Sequence, residues 1–160
     1  MNEWHDLFNA AAGSAAALTG LIFVGVSINL GKILAFPSLP NRALLSLVFL
    51  MTILVLSIFF LVPGQHPRAL GVETLCTSLL TWAIVISLDL RNYSSTKPEY
   101  RKQYLTNVII NQLAILPFFV AGFLISFSNE QGMFWMVPGI LLCFAKAVLD
   151  AWVLLIEINR

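Results

Sequence analysis

The chain has 160 residues, 59% of them hydrophobic and 11% charged, and its nine Lys and Arg nearly cancel eight Asp and Glu to leave a net charge of +1. That composition excludes a water-soluble domain of this size and carries no nucleic-acid footprint, so lipid is the solvent in which packing and charge must be judged. The sequence predicts an all-α fold, a polytopic transmembrane helix bundle forming a single membrane domain over residues 1–160, with no room for a soluble one.

Five apolar stretches approach the roughly 20 residues a helix needs to cross a bilayer core. They run at about Gly13–Ile33, Ala43–Val62, Leu70–Leu88, Leu105–Phe127 and Phe134–Ile156. Ahead of the first, Asn2 is placed to cap a helix, and Trp4 suits a membrane interface. The acidic start and the length of the first apolar run argue for a retained anchor rather than a cleaved signal peptide. His5, Asp6 and His66 are too sparse a set to define a metal site, and no metal or cofactor is expected.

The first span, AAAGSAAALTGLIFVGVSINLG, carries Gly13, Ala16, Ala17, Gly20, Val24, Ser27 and Gly31 along one helical stripe. Small residues at this spacing allow close approach of a second helix, where dispersion and weak Cα–H contacts act in place of the hydrophobic effect. The stripe is expected either to pack inside one subunit or to gather copies of the helix around a narrow pore.

Cys76 and Cys143 fall in the third and fifth spans without metal or redox spacing and read as small core residues. The longest polar interruption is Asp89–Gln103, the expected third loop, with Tyr93, Tyr100 and Tyr104 as an interfacial belt. With the N-terminus outside, Lys32, Arg42, Arg91, Lys97, Arg101, Lys102 and Arg160 all face the cytoplasm and only Arg68 faces out. The positive-inside rule therefore predicts N-out, C-in.

In the fourth span Asn107 and Asn111 share a face, Gln112 follows, and Pro117 removes a backbone donor in mid-helix, predicting a kink and a freed Leu113 carbonyl. The last span holds Lys146 and Asp150, four residues apart and so on one face. Each charge costs about 2.5–3.5 kcal/mol near the bilayer centre on insertion scales, so the two are expected to pair and to face protein or a water-filled cavity. Gating, ion binding or proton relay is one use of such a pair; fixing helix register is the other. Asn111 and Gln112 are expected partners at similar depth, with Asn29 and Ser27 of the first span completing a polar patch.

The run WHDLFNAAAGSAAALTGLIFVGVSIN resembles the opening of a family of small bacterial integral membrane proteins. Its elements here are the aromatic start Trp4–Phe8, the Gly/Ala run Ala10–Ala17, Leu18–Val24 and the Ser-x-Asn ending Ser27–Asn29, about a sixth of the chain. The resemblance implies a bacterial inner membrane, and some members are labelled modulators of an AAA-type membrane protease. It assigns no site. The expectation is a multi-pass protein of the bacterial cytoplasmic membrane, a homo-oligomeric ion channel or small-solute pore. The alternative is a non-catalytic membrane partner or modulator of a membrane protease or other complex. No enzyme is expected, since no nucleophile–base pair appears.

Overall fold

The computed structural model describes residues 4–35, 39–95, 101–129 and 131–158. It is helical throughout the elements α1 (His5–Ile28), α2 (Leu30–Leu34), α3 (Leu39–Leu61), α4 (Pro67–Ser95), α5 (Arg101–Ser126) and α6 (Gln131–Ile158), with no strand among the described residues. All except α2 are long and apolar enough to cross a membrane, giving the five-span helix bundle expected. Asn2, Lys97, Tyr100 and Arg160, used in the capping, belt and charge arguments, lie outside the described residues, as does the side chain of Lys102.

Large apolar side chains cover the outside of the bundle, among them Leu21, Leu80, Phe127, Phe134 and Trp152. Such a surface is stable only against hydrocarbon, and inside it the backbone polar groups are spent within helices, as a bilayer requires. Hydroxyls follow the same rule: Thr74 Oγ1 donates to Leu70 O at 2.7 Å and Ser78 Oγ to Thr74 O at 2.7 Å. Thr52 and Thr81 hydroxyls meet at 2.8 Å and join α3 to α4.

Short connections make the helices alternate in direction, and their packing order closes a ring: α3 on α4, α4 on α5, α5 on α6 and α6 on α3. The α5–α6 corner is tight because Ser128 adopts φ 59°. Ser128 N then donates to Ile125 O and Asn129 N to Leu124 O, spending two end carbonyls of α5 in a Schellman closure. Asn129 Oδ1 accepts from Gln131 N at 3.0 Å and starts α6.

Helix α1 stands outside this ring. It packs on α3 and barely touches α6; only 11% of its most apolar window is buried, against 50% for α3. Phe8 stacks on Phe60 at 4.5 Å and Trp4 meets the edge of Phe134 at 5.0 Å, fixing its first turns. The apolar run of the first span does not continue as one helix to Ile33. Asn29 Nδ2 takes the Gly25 carbonyl at 3.0 Å, the backbone there departs from helical geometry (φ −105°, ψ 15°), and α2 follows as a separate turn.

The close helix contacts are elsewhere than the first-span stripe. A Cβ on Gly122 of α5 would stand 2.9 Å from Leu75 N of α4, and one on Gly71 of α4 would collide with Ser126. On α6, a Cβ on Gly139 would stand 2.6 Å from the Phe118 ring. Gly71 and Gly122 let α4 and α5 approach backbone to backbone, and Gly139 makes room on α6 for the Phe118 ring.

Candidate functional site: a buried polar cluster at one end of the bundle

The end of the bundle where α3 and α5 begin and α4 and α6 finish holds a cluster of buried polar side chains. Asp89 of α4 is 3% exposed, Asn111 of α5 0%, and Lys146 and Asp150 of α6 3% and 5%. Lys146 Nζ donates to both oxygens of Asp150 at 2.5 Å, so the expected i,i+4 pair forms and faces protein rather than lipid. Both its charges act on Asp89.

Asp89 belongs to the helix, not to the loop. The expected loop began at this residue, but α4 runs on to Ser95 and carries the carboxylate into the bundle. There Asn111 Nδ2 donates to its two oxygens at 3.0 and 3.2 Å. The Tyr104 hydroxyl donates to Asp89 O at 2.9 Å and lies 3.3 Å from Oδ1. Asn111 therefore serves Asp89, in place of the expected Lys146 or Asp150. Tyr104, expected at the interfacial belt, reaches inward from the first turn of α5.

A signal for Asp89 was present in the residue spacing. Thr74, Ser78, Thr81, Val85, Leu88 and Asn92 are all buried and recur at three- and four-residue steps along α4. That stripe carries the inner face of the third span straight through the start of the polar run.

Around the cluster, Asn41 Nδ2 of α3 donates to Asn92 Oδ1 at 2.7 Å, and Asn92 bonds the Tyr104 hydroxyl in turn. Arg42 and Glu157 close the rim at 3.6 Å, both partly exposed. Ser27 is exposed and bonds back to Phe23 O, and Asn29 bonds back to Gly25 O, so neither completes the polar patch. Asn107 is half-buried on α5. Gln112 has both amide atoms buried without a partner among the described residues. Pro117 is buried in α5, which continues through it from Arg101 to Ser126.

The first-span stripe is bare. Gly13, Ala16, Ala17, Gly20, Val24, Ser27 and Gly31 are all exposed, and nothing lies within 4 Å of a Cβ built on Gly13, Gly20 or Gly31. Packing of the stripe inside one subunit is thereby overturned, because α1 meets α3 through Phe8, Ala11 and Ala15 instead. Beside the stripe, α1 and α6 diverge to leave open apolar grooves, one lined by Ser14, Leu18, Phe144 and Val148, another by Ile22, Gly25, Ala151 and Leu155. Cys143 is buried and bonds Ala114 O at 3.5 Å, whereas Cys76 is exposed on the surface of α4. Among the described residues no three His, Cys, Asp or Glu gather closely enough to hold a metal.

No protein-family model, curated protein or solved structure matches the chain. What this geometry establishes is a five-span membrane helix bundle with a charged, hydrogen-bonded cluster buried at one end.

Proposed function

We propose that the protein sits in a bacterial cytoplasmic membrane, N-terminus outside, and works as a homo-oligomeric ion channel or small-solute pore. Protomers meet, or line the pathway, through the small-residue face of α1. The observation that supports this reading is the bareness of that face. Lipid chains pack poorly into a surface of Gly, Ala and Ser, whereas a second helix can approach it closely and gain dispersion contacts. The α3–α6 ring is filled by one continuous core that includes Phe49, Leu56, Ile115, Phe118 and Met136. A pathway of this kind must then run between protomers, in a closed cyclic assembly. In that assembly the Lys146–Asp150 pair either gates or fixes the register of α6. No cofactor and no catalytic residue enters the reading.

A second reading uses the same face and the apolar α1–α6 grooves to dock another membrane protein, making the chain a non-catalytic partner or a modulator of a membrane protease. The two separate in one experiment. Purified protein is reconstituted in liposomes for ion and small-solute flux, and its mass is measured in detergent. An oligomer with flux is expected; a monomer without flux sinks the channel and leaves the partner reading.

A further inference from the structure

The buried cluster carries two carboxylates and one ammonium. Lys146 is committed to both oxygens of Asp150. The hydrogen bonds that reach Asp89 from Asn111 Nδ2 and the Tyr104 hydroxyl come from neutral groups. The charges acting on it, Lys146 and Asp150, are already paired with each other and act on it in opposite directions. A third charge at 3% exposure, inside a bundle bathed in lipid, is left without a counter-ion among the described residues.

Asn111 supplies an independent observation. Its Oδ1 is wholly buried and has no donor among the described residues, while its Nδ2 straddles both oxygens of Asp89. Buried acceptors are rarely left unpaired, and a carboxylic acid brings one O–H donor that a carboxylate lacks. A proton on Asp89 is the donor Oδ1 is missing. A small turn of the amide would then set the acid O–H on Oδ1 and the amide N–H on the other carboxyl oxygen. That cyclic acid–amide pair satisfies each group and removes the uncompensated charge.

We propose that this cluster is a proton-binding site. One proton is held between Asp89 and Asn111, and it exchanges with water through the Tyr104 hydroxyl at the end of the bundle where α3 begins. The titratable and charged groups facing the site are Arg42 of α3, which is paired with Glu157, Tyr104 of α5, and Lys146 and Asp150 of α6. The hydrogen-bonded series Asp89–Tyr104–Asn92–Asn41 leads from the site to the half-buried Asn41. The site lies within one protomer and holds whether or not copies assemble.

Infrared spectroscopy of the purified full chain in lipid vesicles at neutral pH tests it without reading flux or mass. The parent should show a protonated-carboxyl C=O band that moves when aspartate is isotopically labelled. Asp89→Asn should abolish the band and Glu73→Gln should leave it. Lys146→Met should roughly double it, because Asp150 then needs a proton as well. Absence of the band in the parent overturns the proposal, and so does a band that survives Asp89→Asn or one that sodium ions abolish. Should Asp89→Asn not fold, the labelled band in an Asp6→Asn/Lys146→Met/Asp150→Leu background decides alone, since Asp89 is then the one aspartate left to carry it.

Discussion

Removing Lys146 should hurt far more than removing Asp150, although the two form one ion pair. The pair is intrahelical, four residues apart on α6, so it can form in an isolated inserted helix and by itself adds little to helix association. What folding adds is the approach of Asp89 from α4. Lys146→Met leaves the Asp150 carboxylate buried beside the protonated Asp89 with its cation gone, the situation in which breaking a buried pair costs about 3–5 kcal/mol. Asp150→Leu leaves an ammonium that still has Asp89 as a neighbour, so the loss is closer to that of hydrogen bonds to a charged group, about 1.5–3 kcal/mol. The double variant Lys146→Met/Asp150→Leu removes a complete pair and should recover most of the loss, since replacing both partners by apolar groups is often neutral. Reversible unfolding in mixed detergent and SDS measures all three against the parent. Equal losses in the two single variants would show that Asp89 does not influence Lys146, and additive losses in the double would show that the pair does not interact.

Gly122→Ala should destabilise the protomer by about 1–3 kcal/mol, because the new Cβ would press on Leu75 N, which cannot retreat. Gly20→Leu should leave protomer unfolding unchanged and lower the mass of the assembly in detergent; an unchanged mass would place the stripe against lipid. Asn111→Leu should cost about 1–3 kcal/mol by leaving Asp89 with Tyr104 alone, and an unfolding curve matching the parent would refute that bond. A reporter fused after Arg160 should read as cytoplasmic, and a periplasmic reading would reverse the orientation.

The five helices were legible because length and hydropathy suffice once lipid is the solvent. The Lys146–Asp150 pair was equally legible, since two charges at i,i+4 in an apolar helix have one economical solution. Partners across helices were not. Asn111 lies at the depth of Asp150, yet rotation of α5 turns it to Asp89, and rotation is set by side-chain packing that depth does not encode. The small residues misled in the same way. Glycine-rich sequence marks α1, but the close approaches use Gly71, Gly122 and Gly139, isolated among larger residues, because their neighbours Ser126, Leu75 and Phe118 come from other helices. Asp89 was obscured by the polar run Asp89–Tyr93 that follows an apolar span, a pattern that reads as a loop unless the buried stripe of α4 is traced into it.

Whether the bare face of α1 joins copies of the chain is tested most directly by disulfide trapping in native membranes. In a Cys76→Ser/Cys143→Ala background, Ala17→Cys on the stripe and Leu80→Cys on the lipid-facing side of α4 are oxidised and resolved by size without reductant. A crosslinked dimer is expected for Ala17→Cys and monomer for Leu80→Cys. Monomer for both, with the two thiols equally reactive, would contradict that expectation.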